Sequence, residues 1–105
     1  MIDFKDWKKL DIRVGKILNV EEILNADKLY KLEIDIGEKR TIVAGIKKDY
    51  SKEELKGKSC VVLANLQPKK LRGVESRGMI LAAVDGEKVV LLSPEKKVRA
   101  GSKVE

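Results

Sequence analysis

Asp11-Ile-Arg-Val-Gly-Lys-Ile-Leu-Asn-Val20 alternates with Ile12 and Val14 on one face and then changes phase, so that Ile17 falls on the other. Gly15 lies at the change. A strand that turns its apolar face over part-way along serves two sheets at once, and a glycine at that point fits a bulge or a sharp coil. The segment therefore predicts a small barrel closed on itself, with no open sheet edge to protect.

Working outward, Leu29-Tyr-Lys-Leu-Glu-Ile-Asp-Ile36 alternates without error, with Tyr30, Leu32, Ile34 and Ile36 inward and Lys31, Glu33 and Asp35 outward. That is a half-buried strand. Gly37-Glu-Lys turns the chain into Arg40-Thr-Ile-Val-Ala-Gly-Ile46, which completes a hairpin. Ser51 is followed three residues later by Glu54, the spacing of a capping box, and Gly57 stops the short helix so begun. Two more strands, Ser59 to Leu66 and Gly78 to Val84, lead to an Asp85-Gly86 turn and Val89-Val-Leu-Leu92. The order is strand, strand, strand, helix, strand, strand. It predicts an all-β fold with short helices: a five-stranded oligonucleotide/oligosaccharide-binding (OB-fold) barrel, with a helix between strands 3 and 4 and a C-terminal extension. Before the barrel, Asp3 caps one or two helical turns that hold Phe4 and Trp7 on one face. That pair is expected to pack on its own barrel, with a subunit interface as the other use.

A chain of 105 residues makes one domain, residues 1–105, burying roughly two-thirds of its unfolded surface. Its 23 bases outnumber 17 acids, for a net charge of +6, and nine bases against five acids lie from Leu66 to Glu105. An excess so placed favours a polyanionic partner, although lysine-rich surfaces also serve solubility. The chain has no histidine, which removes imidazole catalysis and imidazole metal sites. The single cysteine, Cys60, sits in a Val-Val-Leu run and reads as a small buried hydrophobe. No nucleophile-base pair, metal cluster or phosphate-cradling glycine loop is visible, so the expectation is a protein with no catalytic residues, no metal and no cofactor. No apolar run approaches the roughly 20 residues that span a bilayer. Met1-Ile-Asp-Phe-Lys-Asp-Trp lacks the order of a signal peptide, so a cytoplasmic protein is expected.

Functional chemistry concentrates between Asn65 and Met79, where Lys69, Lys70, Arg72 and Arg77 face one acid, Glu75. The flanks, Cys60 to Ala64 and Met79 to Val84, have the character of buried strands that would hold a basic recognition loop rigidly. Arg72-Gly73 and Arg77-Gly78, taken alone, would equally suit turns with solvated charges.

Asp11-Ile-Arg-Val-Gly15, Ala26-Asp-Lys-Leu-Tyr30, Asn65-Leu-Gln-Pro68 and Arg72-Gly-Val-Glu-Ser-Arg-Gly-Met79 occur in this order, and with them the chain resembles the tRNA-binding domain family over nearly its whole length. That family includes the C-terminal domain or separate β chain of methionyl-tRNA synthetases, synthetase cofactors, free-standing tRNA-binding proteins and a secretion-chaperone branch. The resemblance implies the barrel, binding of tRNA outside the anticodon, frequently a homodimer, and a methionyl-tRNA synthetase catalytic chain as a possible partner. It implies a binding surface at Asn65, Lys69, Arg72, Ser76 and Met79, to which the basic stretch adds Lys70 and Arg77. Cations would neutralise phosphates, the Asn65 amide and Ser76 hydroxyl would bond sugar or phosphate oxygens, and Met79 would lie against a ribose or base. The chaperone branch implies a dimeric peptide-binding alternative. Phe4, Trp7, Val98 and Val104 are the candidates for a dimer interface. Two departures stand out: Leu24-Asn25 replaces a histidine-proline pair common among relatives, and Gln67 replaces a lysine.

Overall fold

The computed structural model describes all residues 1–105. Its spine is β1 (Ile12–Glu22), an eleven-residue strand. β2 (Tyr30–Asp35) pairs antiparallel with the second half of β1, from Lys16 opposite Asp35 to Glu22 opposite Tyr30. β4 (Ser59–Leu63) pairs with the first half, from Ile12 opposite Leu63 to Lys16 opposite Ser59. β3 (Lys39–Ala44) forms the expected hairpin with β2, and β7 (Met79–Ile80) adds to β4, giving the order β3-β2-β1-β4-β7. The wall then nearly closes. The Arg77 N–H donates to the Thr41 carbonyl at 2.9 Å, and the Val43 N–H donates to Ser76 Oγ at 3.0 Å, tying β3 to the segment beside β7. This is the expected OB-like barrel.

Its interior is made by the alternation read in β2. Ile17, Leu32, Ile34, Ile36, Ile42, Cys60 and Val62 are fully buried, and Leu55 of the short helix α2 joins them. Each such aliphatic side chain contributes about 1.5–3 kcal/mol of transfer free energy. α2 (Lys52–Leu55) has its capping box in place: the Glu54 N–H donates to Ser51 Oγ at 3.2 Å and the Ser51 N–H to Glu54 Oε1 at 2.9 Å. Those bonds hold the Glu54 carboxyl below its ordinary pKa.

Gly15 has another purpose than the one its position suggested. The register runs unbroken through it, with Val14 opposite Val61 and Lys16 opposite Ser59, and the bulge falls between Ile17 and Asn19. A Cβ on Gly15 would stand 2.6 Å from Ile34 Cγ2 and 3.3 Å from Cys60 Sγ, so glycine is required by close packing inside the barrel. Ile12 and Val14 lie on the opposite face, where Val14 meets the segment Ser93–Ala100. The apparent change of phase is a strand covered on both faces. The chain's end also continues the ladder along β1: Gly101 N–H to Val14 O, Val14 N–H to Ser102 O and Val104 N–H to Ile12 O.

The strand expected from Gly78 to Val84 is broken. At Leu81 the chain leaves β4, its N–H donating to the Val61 carbonyl while its own carbonyl accepts the Leu92 N–H. It continues as the hairpin β8 (Ala82–Asp85) and β9 (Lys88–Leu91), in which Val84 and Val90 are exposed. Tyr50 secures this hairpin, its hydroxyl accepting from the Leu91 N–H at 3.0 Å and its carbonyl accepting from Tyr30 Oη at 2.9 Å. No helix is long and apolar enough to cross a membrane.

Candidate nucleic-acid interface

The basic stretch, expected as a loop, is itself a hairpin: β5 (Lys69–Leu71) and β6 (Val74–Ser76), joined by Arg72 and Gly73. Both connecting residues have left-handed backbone, with φ of 51° and 81°, which a two-residue primed turn demands. Lys69 to Ser76 lacks clear alternation, so the strands escape sequence reading. Leu71 and Val74 pack on Ile23, Ala26 and Val43, a satellite core outside the barrel. The register puts Lys70 opposite Glu75, on the face turned away from Leu71 and Val74.

The expected site residues divide into two groups. Lys69, Lys70 and Arg72 are exposed and make no ion pair; Arg77 is exposed and lies 3.5 Å from Glu75. Met79 exposes nearly half its surface. These five present their chemistry outward. Ser76 does not, being only 6% exposed, with its hydroxyl accepting the Val43 N–H and donating to the Gly78 carbonyl at 3.2 Å. Asn65 is exposed, but its amide is engaged at both ends, Oδ1 accepting from the Asp11 N–H at 2.9 Å and Nδ2 donating to the Lys9 carbonyl at 2.7 Å. Ser76 and Asn65 brace the wall from which the other five project.

Arg40 was not among the expected residues. Its Nη1 donates to the carbonyls of Ala64 at 2.9 Å and Arg77 at 3.0 Å, while Nε meets Glu38 at 2.9 Å. It bolts the two ends of the basic stretch to β3, and its guanidinium holds the Glu38 carboxyl below its usual value. On a strand it reads as one more surface cation, so nothing in the sequence marks it. Asp11 and Arg13 form a second brace, with contacts of 2.8 and 3.0 Å, and Arg13 Nη1 reaches the Ile36 carbonyl. The hydrogen bonds from Arg13 lower the Asp11 carboxyl. Cys60 is inert, burial pushing its thiol up to about 12.

The aromatic pair lies outside the core. α1 (Phe4–Trp7) is capped as expected, the Asp6 N–H donating to Asp3 Oδ1 at 3.0 Å, but Phe4 is 70% and Trp7 38% exposed. The short helix buries no residue, so no barrel surface covers the rings. With Leu10 and Val104 they line an apolar groove flanked by Lys8 and Lys103, whereas Val98 sits in a different cleft against residues 93–100. Asn25 has φ of 61°, in the left-handed region that asparagine tolerates better than most residues.

The sequence profile of the tRNA binding domain family matches residues 12–103. The methionine–tRNA ligase of Pyrococcus horikoshii is 59% identical over 104 residues, 98% of this chain but 14% of the ligase; the corresponding enzyme of Archaeoglobus fulgidus is 58% identical over 98% of this chain and 16% of its own length. The chain thus spans about a seventh of these relatives. Among solved structures, a MetRS-related protein from Pyrococcus horikoshii superposes with a TM-score of 0.93 at 39% identity, covering 100% of this chain and 98% of that one. The CsaA chaperone protein of Picrophilus torridus superposes with a TM-score of 0.92 at 35% identity, covering 100% of both.

Proposed function

We propose, from the premise that this chain belongs to the tRNA-binding domain family, that it binds folded tRNA through the β5–β6 hairpin and serves as an accessory module without catalytic chemistry of its own. The observation that carries the reading is the set of exposed cations without ion-pair partners, Lys69, Lys70 and Arg72, on a hairpin fixed to a nearly closed barrel. Phosphates are recognised by charge at defined positions, and a braced hairpin sets those positions. Lys69, Lys70, Arg72 and Arg77 track the backbone, Met79 lies against a sugar or base, and Asn65 and Ser76 keep the wall in shape. Tyr30 is buried and Phe4 and Trp7 lie on the N-terminal helix, so contour and charge outweigh aromatic stacking.

The module works beside a methionyl-tRNA synthetase catalytic chain in the cytoplasm, adding a second contact that raises local tRNA concentration. A homodimer forms through the apolar corner of Phe4, Trp7, Leu10 and Val104. Likeness to the CsaA chaperones and the exposed apolar side chains of that corner support a second reading, capture of extended peptides.

Titration of labelled bulk tRNA across a salt series, with duplex DNA and an unfolded peptide as competitors, separates the two. Neutralisation of about four phosphates gives a log-log slope on the order of −3. Binding indifferent to salt, or displaced by peptide and not by tRNA, overturns the tRNA reading.

A further inference from the structure

The turn of the β5–β6 hairpin forms one wall of a cleft. Arg72 faces Asn25, Ala26, Asp27, Lys28 and Leu29 across a space of about 370 Å³. The loop on the far side is held in place: the Ala26 N–H donates to the Ile23 carbonyl at 3.1 Å, the Lys28 carbonyl accepts the Lys47 N–H at 3.2 Å, and Ala26 belongs to the satellite core under the hairpin. The side chains of Asn25, Asp27, Lys28 and Arg72 make no hydrogen bond or ion pair within the chain.

This chemistry is not that of a phosphate site, because Asp27 would repel a phosphodiester. It suits a base. Ala26 and the half-buried Leu29 supply an apolar floor, and an arginine guanidinium stacks well on a base plane. A carboxylate takes two adjacent N–H donors at once. Guanine alone among the four common bases offers such a pair on its Watson–Crick edge, N1–H and N2–H, and its O6 accepts from a lysine.

We propose that this cleft takes one unpaired guanine of the bound RNA, stacked beneath the face of Arg72, whose guanidinium edge stays on the backbone phosphate, and read by Asp27, with Lys28 on O6. The proposal rests on the tRNA reading and adds to it a single position of sequence preference within an otherwise shape-driven contact.

The test is fluorescence anisotropy with uridine octamers carrying one central guanosine, inosine or adenosine, beside bulk tRNA, for the wild-type chain and Asp27→Asn. Inosine keeps O6 and N1–H and lacks the 2-amino group. The wild type binds the guanosine oligomer about tenfold tighter than the other two, the scale of one bidentate base contact. Asp27→Asn removes that preference and, by deleting a negative charge, raises affinity for plain oligouridylate. Asp27 is exposed and the replacement is isosteric, so the fold is not at stake. Equal binding of the three oligomers, with tRNA binding still salt-sensitive, overturns the guanine slot and leaves the tRNA reading standing. A guanosine preference that survives Asp27→Asn overturns the role given to Asp27. Absence of salt-sensitive binding to tRNA and oligomers alike overturns both.

Discussion

The two hairpins that leave the barrel, β5–β6 and β8–β9, are built alike and finished differently. Each joins its strands through a two-residue turn, Arg72 and Gly73 in one, both with left-handed backbone, and Gly86 and Glu87 in the other, where Gly86 alone is left-handed. Each turns one side to the protein, Leu71 and Val74 onto the satellite core, and Ala82, Val89 and Leu91 onto the main one. The exposed residues diverge: Lys69, Lys70 and Glu75 on the first, Ala83, Val84 and Val90 on the second. The lesson is that the scaffold fixes where a hairpin stands, while a few outward residues fix whether it addresses a polyanion or an apolar surface.

The largest effect is expected from reversing charge on the first hairpin. Lys69→Glu with Arg72→Glu should cost about a hundredfold in tRNA affinity at low salt, since contacts are lost and repulsion is added, with the melting transition unmoved. Val84→Ser with Val90→Ser on the second hairpin should leave tRNA affinity where it was. Equal losses from both pairs would erase the division between the hairpins.

Next in size is the anchor of the first hairpin. Ser76→Ala leaves the buried Val43 N–H without its acceptor, a cost of about 1–3 kcal/mol in urea unfolding, and tRNA affinity should fall with it. The corresponding anchor of the second is the Tyr50 hydroxyl. Tyr50→Phe removes one bond to the Leu91 N–H and should cost about 1 kcal/mol; faster amide exchange at Leu91 with tRNA affinity intact would confirm that the hairpins are anchored independently.

The smallest effect concerns the ion pairs that neither hairpin contains. Asp11, hydrogen-bonded by Arg13, titrates in the folded chain below its ordinary 3.8, and Glu22, bonded by Lys47 and then Lys52, below its ordinary 4.5. The folded state therefore binds fewer protons than the unfolded chain in that range, so this stabilisation is complete above pH 4.5 and fades as the pH drops through and below these values. Thermal melts from pH 7 to 3 should show a shallow loss confined to the acid end, modest because Glu22 is well exposed.

Legibility followed the range of the forces involved. The alternation of Tyr30 to Ile36, the Ser51 capping box and the Asp3 cap are local, and all were readable. Gly15 was misplaced in purpose because its neighbours, Ile34 and Cys60, come from other strands. Two-sided burial of β1 depends on a segment some 80 residues later, which no window around Ile12 contains. At the site, the outward cations were readable from charge alone, whereas the inward turn of the Ser76 hydroxyl and the bolt made by Arg40 depend on partners 33 and 37 residues away. Phe4 and Trp7 share a face as expected, but what covers that face is not written in the helix that carries it.

The seam between Ile12 and Val104 sets how the domain bears a pull. Both ends of the chain enter the barrel there, antiparallel, with Val104 bonded to Ile12 and then Ser102 and Gly101 to Val14. Tension applied between the two ends would meet these bonds one after another, opening the seam like a zipper at low force, before β1 and β4 were loaded in shear. Force spectroscopy would record a small early release that precedes rupture of the barrel.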